Sequence, residues 1–277
     1  MKTHTKINAG IKAAVLAVLA FLFTAQAVFA ADLPVYKDSP RDIVIQMFTA
    51  GGYAPEIVEK TRVPDFTLYG DGRVIYSRST DPTNYKLYEA KLTPERMNAL
   101  INLFEQEGFF DMNDNYLNVN VKDLPSAYVT LNLREKNRTI KIYGLIIATQ
   151  QRLIPRGLIN ITRRLGEFTA DGEKEFEPEK ISIFVQELPK DQYSKEMKKV
   201  KWKVKGVELA KLAPEGASLL ARYKETVLSG DERKHALDLL RGKTLFDNQV
   251  GFHQTVFENA RRYFKVAYRP HLPYEQQ

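Results

Sequence analysis

The chain has 277 residues, of which 44% are hydrophobic and 27% charged, with a formal charge of +7 and no cysteine. That length allows one large domain or two small ones. The lack of cysteine excludes disulfides, thiolate catalysis, cysteine-ligated metal and a lipid anchor on a cysteine. The first 30 residues carry Lys2, Lys6 and Lys12 and no acid, so the remainder is only mildly basic and gives no argument for nucleic acid.

Read in order, the chain opens on those lysines, followed by the apolar run Ala13 to Phe23 and then Thr24-Ala25-Gln26-Ala27-Val28-Phe29-Ala30. A basic lead, a short apolar core and small residues before Ala31 predict a signal peptide over 1–30 and an exported protein, periplasmic or extracellular. The rival reading is a retained N-terminal anchor, since Ala13 to Ala31 nearly reaches the ~20 residues that span a bilayer. The short core and the processed flank favour cleavage.

Asp32 to Pro40 reads as an extended lead-in, and Ile43 to Phe48 as a strand ended by Gly51-Gly52. Phe66 to Tyr69, Gly70-Asp71-Gly72 and Arg73 to Tyr76 predict a β-hairpin, with the Asp-Gly pair giving the turn its positive φ. Tyr85 to Lys91 is a further strand. Thr93 as N-cap, Pro94 and Glu95 then open a helix whose Met97, Leu100, Ile101 and Phe104 share one face, with Gly108 behind it. A second hairpin runs Tyr128 to Leu133 and Thr139 to Tyr143, turning at Glu135-Lys136-Asn137-Arg138. A second helix covers Pro155 to Leu165, with Arg163 and Arg164 in its last turn.

Ala170 to Pro178 is polar and charged and reads as a boundary. Beyond it come a strand at Lys180 to Leu188, a lysine-rich segment, a helix at Asp231 to Leu240, and a closing strand at Tyr263 to Tyr268. No internal repeat or low-complexity tract is present. Hairpins with separated helices predict an α+β fold, mainly antiparallel sheet with a few helices, in two packed parts. The parts are an N-terminal α+β domain over 35–169 and a smaller C-terminal α+β domain over 177–277.

Gly51-Gly52, the run Pro64 to Ile75, Leu92-Thr93, Asp123-Leu124-Pro125 and the stretch Tyr263 to Pro273 carry a resemblance across most of the chain after Ala30. On these residues the chain resembles an uncharacterised family of exported bacterial envelope proteins, many of them predicted lipoproteins. The resemblance implies export and the same fold class. It brings no catalytic residue, and its lipid anchor does not carry over to a chain without the lipobox cysteine.

The segment Lys199-Val200-Lys201-Trp202-Lys203-Val204-Lys205 alternates strictly. As a strand it sets Lys199, Lys201, Lys203 and Lys205 on one exposed face, opposite a buried Trp202. Such a face suits an acidic envelope polymer or lipid headgroups, through attraction that salt weakens. The plainer reading is a solvated edge that lysines guard against strand pairing.

Other candidates weigh less. Asp111-Met112-Asn113-Asp114-Asn115 starts like a calcium loop, but Tyr116 and Lys122 stand where glycine and glutamate are needed, so it reads as a polar turn. His235, His253 and His271 have no ligand spacing, and no HExxH occurs. GxSxG, SxxK and GxGxxG are absent, and Leu237 spoils a phosphate loop ending at Gly242-Lys243-Thr244. Glu173 and Glu175 read as solvated. The 15 Phe and 14 Tyr read mostly as core and cross-strand pairs.

These observations predict no metal site, no cofactor and no nucleic-acid partner. They predict an envelope-associated binding module for a protein partner or an anionic polymer, with peripheral membrane contact as a further expectation. The alternatives are a secreted hydrolase whose site is assembled from distant residues and a scaffolding domain with a broad apolar face.

Overall fold

The computed structural model describes residues 35–275, apart from 55, 82–83, 118, 190–192, 194, 196, 214–223 and 242–254. The apolar N-terminal run, His253 and the Gly242-Lys243-Thr244 stretch lie outside the described residues, among which no helix is long and apolar enough to cross a membrane.

Alternating apolar residues build the first sheet, β1 (Ile43–Ala50), β2 (Phe66–Tyr69), β3 (Arg73–Asp81) and β4 (Asn84–Lys91) with later strands added at both ends. The β2–β3 turn closes through the Gly72 N–H on the Tyr69 carbonyl, at 2.9 Å. Gly72 sits at φ 87°, and a Cβ there would come within 2.6 Å of the Leu92 carbonyl oxygen. Only glycine meets both demands. Helix α1 (Glu56–Thr61) lies between β1 and β2.

Helix α2 (Pro94–Gln106) forms as its cap predicts. Thr93 accepts from the Arg96 N–H, and Met97, Leu100, Ile101 and Phe104 are the buried face. Gly108 follows in the left-handed conformation and leads into a 3₁₀ turn, Phe109–Asp111. The short β5 (Asn115–Tyr116), the hairpin β6 (Ser126–Asn132) and β7 (Asn137–Tyr143), and helices α3 (Leu145–Gln150) and α4 (Arg156–Gly166) complete this half. The hairpin turns two residues earlier than predicted, at Leu133 to Lys136, where the Leu133 N–H reaches the Lys136 carbonyl.

The polar stretch Ala170 to Pro178 is more than a boundary. It holds β8 (Lys174–Glu175), paired to β4, which completes an eight-stranded order β5-β7-β6-β1-β2-β3-β4-β8. Glu173, expected to be solvated, is partly exposed and engaged in an ion pair. It accepts from the Arg78 guanidinium and the Tyr76 hydroxyl, which hold its carboxyl below the usual glutamate range.

The second sheet has the order β10-β12-β13-β9-β11, from β9 (Lys180–Leu188), β10 (Lys198–Lys201), β11 (Lys224–Ser229), β12 (Thr255–Asn259) and β13 (Arg262–Pro270). The strand predicted to close the fold, β13, lies at its centre between β12 and β9. Helices α5 (Leu209–Leu212) and α6 (Gly230–Leu240) cover one face, where Ile181, Ile183, Val185, Phe264 and Val266 pack with Trp202, Leu237 and Leu240. The whole is α+β, with antiparallel pairing everywhere among the described strands except β5–β7 and β10–β12.

The two sheets meet through borrowed pieces. Ile57 and Val58 of α1 pack on Phe184 and Ala267 of the second sheet. Leu272 and Tyr274, from the chain end, pack on Tyr69, Ile75 and Leu87 of the first. Burial there pushes the Tyr274 hydroxyl up to about 12.

Candidate functional site

The predicted lysine face is only partly a strand. The ladder with β12 ends at Lys201, the Trp202 N–H makes a last bond to the Glu258 carbonyl at 2.9 Å, and Gly206 then turns the chain at φ 80°. The alternation persists beyond it. Lys199, Lys201, Lys203 and Lys205 are exposed, while Trp202 and Val204 are buried. The Trp202 indole N–H donates to the Val207 carbonyl at 2.8 Å, which fixes the loop. The Lys199 ammonium lies 4.7 Å from the Tyr193 ring and 5.3 Å from the Tyr263 ring, which stack on each other. The lysines therefore lie exposed along the edge of the second sheet and the loop that follows it.

Concavity lies elsewhere, along α4. One lobe, of about 520 Å³, is lined by Thr149, Arg152, Arg156, Asn160 and Arg163 with Ile154 and Ile159. A second lobe, of about 490 Å³, lies between α2 and α4. Its floor is apolar, from Leu92, Leu100, Leu103 and Phe168, and its rim carries Arg96, Arg163, Arg164 and Glu167. The lobes share Asn160 and Arg163, so they adjoin along α4, and together they are termed the trough.

Sequence spacing puts these groups on one side. Arg156, Asn160 and Arg163 fall at i, i+4 and i+7 of a helix whose opposite face buries Leu158, Ile161 and Leu165. The helix is held close to α2. A Cβ on Gly157 would lie 2.5 Å from the Glu107 carbonyl oxygen. Asn160 donates to the Glu107 carboxylate at 2.9 Å.

Two placements in the first lobe run against local preference. Arg152 adopts φ 54° behind α3, in a cap where the Leu153 N–H reaches the Ala148 carbonyl and the Arg152 N–H reaches that of Thr149. That is the Schellman arrangement, whose left-handed residue is usually glycine. Arg156 opens α4, which has no side-chain cap and no acid in its first turn, so a cation sits at the positive end of the helix dipole. Arg152, Arg156, Arg163 and Arg164 are exposed and form no ion pair among the described residues; Arg96 pairs with Asp171 at 2.9 Å. A multivalent anion would relieve the crowding of positive charge.

The remaining predicted groups do not converge. His235 is exposed on α6. Asp114 is bound by Arg138, and no group of three His, Cys, Asp or Glu residues able to hold a metal ion occurs among the described residues. His271 does find a partner that the sequence does not reveal. Its Nε2 is 2.7 Å from the Ser182 hydroxyl, which donates in turn to Glu225. This is no nucleophile in waiting. Ser182 is fully buried, its proton goes to the carboxylate, and the His271 Nδ1 is buried without a partner. Burial holds the imidazole below its usual value.

Residues 62–169 are similar to a family described as a Domain of unknown function (DUF6438). That stretch contains every lining residue of the trough and excludes the lysine edge. No curated protein matches the chain. No solved structure does either.

Proposed function

We propose that this is an exported, envelope-associated binding module that holds an anionic envelope component in the trough along α4. The observation that carries the reading is the set Arg152, Arg156, Arg163 and Arg164, exposed on a concave surface with no ion pair among the described residues. Guanidinium groups bind phosphate and carboxylate in a planar, two-pronged geometry, and a recess lowers the local dielectric relative to an open edge. The basic lead and apolar core of residues 1–30 support export, with cleavage after Ala30.

The test is co-sedimentation of the purified chain with cell envelopes over a range of salt. Binding is expected to fall steeply as salt rises, since exposed charges are screened beyond ~8 Å at physiological ionic strength. Replacing Arg152, Arg156 and Arg163 by Ala should abolish it, while replacing Lys199, Lys201, Lys203 and Lys205 should leave most of it. No binding at low salt, or loss with the lysines alone, refutes the proposal.

A further inference from the structure

We infer that the ligand of the trough is a linear polyanion with a carbon backbone, whose anionic groups occupy both lobes at once. The inference rests on the anion-binding reading above and adds the shape and chemistry of the ligand.

The first ground is adjacency. The lobes share Asn160 and Arg163, yet each has cations of its own: Arg152 and Arg156 in one, Arg96 and Arg164 in the other. From Arg156 to Arg164 the chain advances eight residues, ~12 Å along a helix axis. A single small anion meets the cations of one lobe. A chain bearing repeated charges meets both, and the second engagement is then intramolecular, which raises overall affinity without any new contact.

The second ground is the difference between the lobes. The lobe at the start of α4 presents Thr149, Asn160 and three arginines, with Ile154 and Ile159 as its only apolar side chains. The lobe between α2 and α4 sets its arginines around a floor of Leu92, Leu100, Leu103 and Phe168. An apolar floor gains nothing from a bare run of phosphates, which stay hydrated. It gains from the C–H face of a sugar ring or a polyol lying between two charged groups. Glu167, on the rim of that lobe, disfavours a second carboxylate or phosphate beside it and can accept a hydrogen bond from a hydroxyl, which again fits a hydroxylated backbone.

The experiment compares galacturonic acid, an oligogalacturonate long enough to bridge both lobes, a poly(glycerol phosphate) and inorganic polyphosphate, by titration calorimetry at low salt. Expected is an oligomer affinity more than ~10-fold above that of the monomer at equal charge concentration. Arg156→Ala and Arg164→Ala, one from each lobe, should each erase that gain while leaving the chain folded with a cooperative thermal melt, since both side chains are exposed. Oligogalacturonate against poly(glycerol phosphate) tells carboxylate from phosphate. Polyphosphate binding as tightly as either carbon-backboned chain overturns the backbone assignment. Monomer and oligomer binding equally, both lost with one arginine, overturns the two-lobe assignment and leaves anion binding standing. Absence of binding by every probe refutes the proposed function itself.

Discussion

Arg152 and Arg156 should be costing the fold stability, and the cost can be measured. Arg152 sits at φ 54°, a conformation that burdens an L-residue by ~1–2 kcal/mol. Glycine removes that strain but raises the entropy of the unfolded chain, by ~0.4–1 kcal/mol. Arg152→Gly should therefore stabilise by about 0.5–1 kcal/mol, the difference of the two. Arg156→Glu replaces a cation at the positive end of α4 by an anion, each half of the change contributing ~0.3–1 kcal/mol at an exposed terminus. The assay is urea unfolding, with m checked for constancy so that a shifted midpoint reports the native state. Both variants should melt later and both should lose polyanion binding. Loss of stability in both would refute the reasoning, for the arginines would then be ordinary structural residues with no local conflict to resolve.

Gly157→Ala pits two effects against each other. Helix propensity favours alanine by up to ~1 kcal/mol, but the new Cβ meets the Glu107 carbonyl at 2.5 Å and overpacking costs ~1–3 kcal/mol. Net destabilisation is expected by urea melt, with weaker binding as α4 shifts from α2, and a gain in stability would show the contact to be slack. His271 sets a pH dependence. Its folded value lies below the ordinary imidazole value, so its contribution is complete above the ordinary value and disappears as pH falls through the depressed one. The charged groups facing it are Glu275, Arg269, Glu225 and Lys180. His271→Gln should flatten the acid limb of the stability curve between pH 7 and 5, and an unchanged limb would place that titration elsewhere.

Much of the first half was legible because its elements are local. The Thr93 cap with its i, i+3, i+4, i+7 stripe, and the Gly70-Asp71-Gly72 turn between alternating strands, each state their structure within a dozen residues. The second half was less so. Central β13 looks like a closing strand because pairing order is a long-range property that no window of sequence contains. The lysine segment shows a true alternation of burial, yet only Lys198–Lys201 pairs, since alternation reports which way side chains face and says nothing of whether a neighbouring strand is there. Short elements such as α1 and β8 owe their existence to tertiary partners, Phe184 and Ala267 for the one and β4 for the other.

The trough escaped for a related reason, and the reason bears on where function lies. Arg163 and Arg164 read as favourable cations at a helix C-terminus, and in a list of residues Arg152 and Arg156 are two more surface charges. The predicted helix over Pro155 to Leu165 already sets Arg156 at the positive end of a dipole, but only the folded chain shows that Arg152 occupies a left-handed cap and shares a lobe with it. The lysine edge contains no such conflict. Its charges are exposed along an edge strand and suit the protection of that edge against pairing. Departures from local preference that have no structural return are expected where a site needs them. By that criterion the arginines along α4, more than the conspicuous run of lysines, are the place to test the proposed binding.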